Sequence, residues 1–185
     1  MIRAFVGIPM PENVTAALQA QQAGLPVGRA VPPENFHITL AFLGEHPMPR
    51  VEDVHFSLDA IVAPAFELTL EGIDFFGGER PRIIHAAVRP EPALTHLRAR
   101  VLEAARSAGI PLPRERFNPH VTIARLPPVI APEDAHRLRA HVGARAGFLC
   151  GPFPVSGFTL YRSRLGRSGA HYEEMAEYRL EGAPA

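Results

Sequence analysis

One short pattern, met twice, constrains this chain more than anything else in it. Phe36-His37-Ile38-Thr39-Leu40-Ala41-Phe42-Leu43 and Asn118-Pro119-His120-Val121-Thr122-Ile123-Ala124-Arg125-Leu126 both read His-x-Thr-x, with an apolar residue at each x. Their β-branched and aromatic residues, flanked by Pro, Asn or Gly, predict two strands. Side chains two apart in a strand share a face, so His37 and Thr39 stand opposite Ile38 and Leu40. His120 and Thr122 stand in the same way opposite Val121 and Ile123. Each strand thus carries an imidazole beside a hydroxyl, backed by an apolar face that must be buried. The expectation is a fold that brings the two polar faces together.

The flanking elements repeat as well. Ile2 to Ile8 is a buried strand, and Glu12 to Ala23 a helix stopped by Gly24. A Pro-rich loop from Pro26 to Pro33 leads to the first His-x-Thr strand, which Gly44 and Pro47 end. Arg50 to Val62 has helical spacing, and Phe66 to Phe75 alternates as a half-buried strand. After Gly77-Gly78 the order restarts. Ile83 to Val88 is a strand, Glu91 to Ala108 a helix stopped by Gly109, and a second Pro-rich loop precedes the second His-x-Thr strand. A helix near Glu133 to Val142 and two strands, Pro152 to Arg162 and His171 to Leu180, complete the chain. The order β-α-β-α-β followed by β-α-β-α-β-β places His-x-Thr third in both halves. This predicts an α+β fold: two pseudo-two-fold-related lobes of antiparallel sheet with helices packed outside. The lobes form a single bilobal domain over residues 1–185, with sequence halves of about 1–76 and 80–181 and a shared cleft between them.

Composition narrows the chemistry. An apolar share of 46% and a charged share of 21% are those of a water-soluble globule. The zero net charge leaves nucleic-acid contact to a local patch rather than a global field. All 19 basic residues are Arg, which removes lysine nucleophiles and Schiff-base chemistry. The single Cys150 cannot form an internal disulfide and reads as an inert buried thiol. The apolar run near Met1 is too short for a signal segment or membrane span, so a cytoplasmic location is expected; the chain is also expected to be a monomer.

The two motifs, with Ile2-Arg3-Ala4-Phe5-Val6-Gly7-Ile8 at the start, the Phe42-Leu43-Gly44 and Ala124-Arg125 flanks, and Leu160-Tyr161-Arg162-Ser163-Arg164-Leu165 followed by His171-Tyr172, resemble the 2H phosphoesterase superfamily. Within it the chain is similar to the RNA 2′,3′-cyclic phosphodiesterases, historically called 2′-5′ RNA ligases. The resemblance covers nearly the whole chain. It implies hydrolysis of RNA or nucleotide ends bearing a 2′,3′-cyclic phosphate to a 2′-phosphate, without cofactor or metal. It also implies His37 as proton donor to the leaving oxygen and His120 as the base that activates water.

The residue types suit that reaction. A ring-opened phosphodiester needs a proton removed from water on one side of phosphorus and delivered to the leaving oxygen on the other. Imidazole populates both forms near neutrality. Thr39 and Thr122, restricted at χ1, can donate to the non-bridging oxygens as charge builds there. By the residues alone the two histidines are interchangeable. Arg125, Arg162 and Arg164 are candidates for holding phosphate, and Phe42 for stacking a base or for filling core. The run Arg162, Arg164, Arg167 lacks an acidic residue between Leu160 and Ala170 and is either a solvated face or an RNA-backbone patch. A metal site would need more ligands than two histidines, and neither motif carries a carboxylate or second His at ligand spacing. His55, His85, His96, His136 and His141 read as surface or core residues. Two further readings stand beside hydrolysis of RNA ends: a related enzyme for small cyclic nucleotides or 2′-5′ joining, and a non-catalytic RNA- or nucleotide-binding module.

Overall fold

A computed structural model describes residues 1–78, 80–113, 115–166 and 169–182. Among the described residues nine strands form one curled antiparallel sheet with four helices. In chain order these are β1 (Ile2–Pro9), α1 (Glu12–Gln21), β2 (Arg29–Ala30), β3 (His37–His46), α2 (Met48–Asp59), β4 (Phe66–Phe76) and β5 (Ile83–Val88). They continue with α3 (Pro92–Ser107), β6 (His120–Arg125), α4 (Pro132–Gly143), β7 (Leu149–Val155), β8 (Gly157–Gly166) and β9 (Gly169–Arg179). Among the described residues no helix is long and apolar enough to cross a membrane.

The sheet runs β7-β4-β5-β6-β3-β1-β8-β9, with β2 added alongside β6. Its centre is the contact between the two His-x-Thr strands, and a single residue pair, Ile38 with Val121, joins them. Outward from that pair the two sides match: β3, β1, β8, β9 on one, β6, β5, β4, β7 on the other. Strand membership cuts across the two chain segments read from the sequence. β4, from the first, pairs with β5 and β7, while β8, from the second, pairs back onto β1 and carries β9 with it. The repeats exchange equivalent strands, and the helices follow. α1 packs against β6 and β7, and α3 packs against β3.

The helices bury the apolar faces that their spacing implied. Val14 and Leu18 of α1, Val51, Val54 and Leu58 of α2, Leu94, Leu97 and Val101 of α3, and Leu138 and Val142 of α4 are all buried. They meet Ile38, Leu40, Val121 and Ile123 on the back of the two central strands in one continuous core. Truncating a side chain in such a core costs about 2–5 kcal/mol. The front of the sheet at β3 and β6 is left uncovered by helix, and the polar faces lie there.

The predicted strand Pro152 to Arg162 is two strands in the structure, divided at Ser156. β7 takes its hydrogen bonds from β4, and β8 takes its own from β1 and β9. The buried positions change phase there, from Phe153 and Val155 to Phe158 and Leu160, so one face of the chain turns from one side of the sheet to the other. The Pro-rich loop from Pro26 to Pro33 is more ordered than its composition suggests, since it contains β2. Gly28, at φ +98°, lets β2 approach β6: a Cβ there would lie 2.7 Å from the Arg125 carbonyl oxygen.

Candidate active site

Antiparallel register decides where the four motif side chains go. Ile38 lies opposite Val121 with both fully buried, so His37, Thr39, His120 and Thr122 share the other face. Continuing that register sets Thr122 toward His37 and Thr39 toward His120. The structure therefore brings all four together at the middle of the sheet.

Each imidazole is oriented by the backbone two residues before it. His37 Nδ1 lies 2.8 Å from the Asn35 carbonyl oxygen, and His120 Nδ1 lies 2.8 Å from that of Asn118. A carbonyl only accepts, so both Nδ1 atoms carry the proton and donate it there. That leaves Nε2 of each ring as the working nitrogen, a basic lone pair in the neutral form and an acid in the charged form. The Thr39 hydroxyl, 3.1 Å from His37 Nε2, donates to it in the neutral state. The shared element Asn-x-His-x-Thr was visible in the sequence at Asn35 and Asn118, although only the carbonyls, not the amide side chains, orient the rings.

The rings are walled differently. His37 packs against Phe5 at 4.7 Å between ring centres and edge-on against Tyr172 at 5.2 Å. His120 meets Phe76 edge-on at 4.7 Å and His85 at 5.3 Å, and these two stack on each other at 3.8 Å. Gly7 makes the first arrangement possible. It pairs with Thr39, and a Cβ on it would lie 3.1 Å from His37 Cδ2. The equivalent position beside Thr122 holds His85, which is buried with its Nδ1 unpartnered. Gly7→Ala is expected to push the His37 ring out of line and lower kcat severalfold while leaving the melting temperature within a few degrees. Unchanged kcat in steady-state assays would show that the ring position tolerates the shift.

Burial governs the titration of these groups. Desolvation lowers His37 to about 4, opposed by the Asn35 carbonyl and reinforced by the charges of His120 and Arg125. Desolvation also lowers His120, against the pull of the Asn118 carbonyl. His85 is lowered to about 4, by burial first and then by the charge on His120, with Asp74 opposing. Burial therefore favours the neutral imidazoles, and a nearby anion would favour the charged form.

Two adjoining cavities open onto these groups, one of about 580 Å³ beside His120 and one of about 440 Å³ beside His37. Thr39 and Phe42 line both. Phe42 is 48% exposed, which makes it a cleft wall and not core, and the Arg3 guanidinium lies 4.7 Å above its ring. The Pro-rich loops form rims: Val31 borders the smaller cavity, and Leu112, Pro113 and Phe117 the larger. Arg125 lines the smaller cavity with Thr122 and His37. Arg162 and Arg164 line neither, because Ser163 and Leu165 take the cleft-facing positions of β8, and Arg164 is paired with Glu173 at 2.9 Å. Arg167, the third member of that run, lies outside the described residues. Arg3 and Arg29 line the smaller cavity beside Arg125, and Arg98 and Arg116 line the larger one. Arg29 was unreadable from the sequence, since nothing in the Pro26–Pro33 loop announces a strand.

A sheet curled around two inward-facing imidazole–hydroxyl pairs defines a two-histidine phosphoesterase architecture, and the comparisons with known proteins agree. The chain belongs to the 2′-5′ RNA ligase superfamily, whose family model matches residues 11–167. It is 34% identical over 187 residues to an RNA 2′,3′-cyclic phosphodiesterase of Geobacillus stearothermophilus, covering 97% of this chain but 58% of that protein. The chain thus spans a little over half the length of that relative. The protein of the same name from Bacillus subtilis is 29% identical over 182 residues, with 95% of each chain covered. Among solved structures, TT0787 of Thermus thermophilus superposes with a TM-score of 0.79 at 30% identity, covering 98% of this chain and 99% of that one. Escherichia coli LigT complexed with 3′-AMP gives 0.77 at 26% identity, covering 97% and 98%.

Proposed function

We propose that this protein hydrolyses RNA ends bearing a 2′,3′-cyclic phosphate to 2′-phosphomonoesters, by acid–base catalysis between His37 and His120. The observation that carries this reading is the matched pair of imidazoles on opposite strands. Each has Nδ1 committed to a carbonyl, which leaves Nε2 as the working nitrogen, held in His37 by the Thr39 hydroxyl. The activity named for the curated relatives, and the nucleotide named in the LigT complex, support the choice of substrate.

The cyclic phosphate sits between the two Nε2 atoms. His120 Nε2 takes a proton from water as its oxygen attacks phosphorus, and His37 Nε2–H gives a proton to O3′ as the P–O3′ bond breaks. The phosphate stays on O2′, and the enzyme ends with the proton moved from His37 to His120, to be returned through solvent. The assignment of donor and acceptor follows the family resemblance. Thr39 and Thr122 hydroxyls and the Arg125 guanidinium meet the non-bridging oxygens, where charge grows in the transition state. Burial favours the neutral form of His37, so its donor form is drawn up by the phosphate itself, whose negative charge offsets the burial and the repulsion of Arg125.

Among the described residues no three His, Cys, Asp or Glu side chains cluster as metal ligands, and the scheme calls for none. An RNA oligonucleotide ending in a 2′,3′-cyclic phosphate, incubated in excess EDTA, is expected to yield a 2′-phosphate product at the rate seen without chelator. Reversible loss of activity in EDTA, or a 3′-phosphate product, would overturn the scheme.

A further inference from the structure

The smaller cavity carries more positive charge than one reacting phosphate requires. Arg3, Arg29 and Arg125 line it with His37, and among the described residues no acidic one is in its walls. None of the ion pairs among the described residues involves these three arginines. Glu45 lies opposite Arg3 in the β1–β3 register and makes no ion pair with it.

Two of these arginines are set opposite each other by the strand register itself. Arg29 pairs directly with Arg125 across β2 and β6, a like-charge arrangement that weakens a strand pair unless an anion balances it. The fold nevertheless builds that pair firmly. Val31 N donates to the Ile123 carbonyl at 2.9 Å. The Gln22 side-chain amide donates to the carbonyls of Val31 and Ile123 at 2.7 and 2.8 Å. Gly169, at φ +120°, has no side chain where one would collide with the Arg29 guanidinium, so the start of β9 passes close against that group.

We propose that Arg3 and Arg29 form a subsite for a second phosphate of the substrate, on the His37 side of the reacting one, with Arg125 between the two. The inference rests on the hydrolytic reading of the cleft and adds to it a specificity. The second phosphate is either the phosphodiester that joins the terminal nucleotide to its strand or a 5′-phosphate on a terminal nucleotide. Both present at least two non-bridging oxygens, to which a planar guanidinium fork donates in a bidentate manner.

Three substrates separate the cases: adenosine 2′,3′-cyclic phosphate, its 5′-phosphorylated form, and the dinucleotide ApA ending in the same cyclic phosphate. Arg29→Ala and Arg3→Ala are each expected to lower kcat/KM about tenfold wherever the second phosphate is read, the loss of one charge-assisted contact, and to leave the plain cyclic mononucleotide within about twofold. A fall on the dinucleotide alone assigns the subsite to the strand, and a fall on the 5′-phosphorylated nucleotide alone assigns it to a free end. An equal fall on all three substrates, or none on any, overturns the proposal. A binding measurement frees the test from turnover. Wild type should hold adenosine 2′,5′-bisphosphate more tightly than adenosine 2′-monophosphate by calorimetry, and Arg29→Ala should lose that difference. Should wild type hydrolyse none of the three, the hydrolytic reading fails while the bisphosphate comparison still decides the subsite.

Discussion

His37→Ala and His120→Ala are each expected to lower turnover of a cyclic-phosphate RNA end by about 10²–10⁴-fold. The size of the effect comes from the chemistry at the two Nε2 atoms. Removing either ring leaves water without its base or O3′ without its acid, and among the described residues no other imidazole lines either cavity. His85 is the nearest candidate for rescue of His120, but it is buried behind that ring and stacked on Phe76. The double variant should fall little further than either single one, because acid and base act on one transition state and their losses do not add. Thermal stability should change modestly, since neither ring belongs to the helix-covered core. Single-turnover assays with all three variants give the answer. If either single variant kept more than a tenth of wild-type activity, the paired mechanism would fall.

The pH dependence should be nearly as large in effect. With one imidazole required charged and the other neutral, kcat/KM is bell-shaped and reports the free protein. Burial sets both groups below the ordinary value of about 6.5, His37 at about 4. The bell should therefore peak on the acid side of 6.5, and its alkaline limb should fall about tenfold for each unit above the upper value. The two limbs belong to the pair, so the bell alone does not say which ring carries the proton. In the substrate complex the phosphate charge favours imidazolium, which raises both groups. The kcat profile should accordingly sit to the alkaline side of the kcat/KM profile. A flat response between pH 5 and 9, or a kcat profile displaced toward acid, would contradict this electrostatic account. An NMR titration of His37 with and without adenosine 2′-monophosphate reads the same shift directly, and its direction should be upward.

Much of the candidate site was legible because strand geometry is periodic. Knowing only that His37-Ile38-Thr39 and His120-Val121-Thr122 are strands places all four polar groups on the faces opposite Ile38 and Val121. The register later shows them at the centre of the sheet. The helices were equally plain, since their apolar spacing marks the buried faces of α1 to α4. Arg162 and Arg164 stood out by charge alone, and charge does not reveal a neighbour. Glu173, on the next strand, holds Arg164 away from the cavities. The division at Ser156 left a trace in the phase of the buried residues, but an apolar strand that changes sheet partners resembles one that does not.

The sequence by itself determined the local content of this protein: which segments are strands and helices, which face of each is apolar, and which titratable groups stand ready on the polar one. Those properties depend on residues a few positions apart. Only the tertiary structure decided the exchange of β4 and β8 between the repeats, the covering of each motif strand by the other repeat's helix, and the delivery of Arg3 and Arg29 to the cleft beside Arg125. The stack of Phe76 and His85 behind His120 was decided at the same level. Each depends on pairing between segments far apart in the chain, where backbone hydrogen bonds are the same for every residue type and burial of the whole core selects the partner.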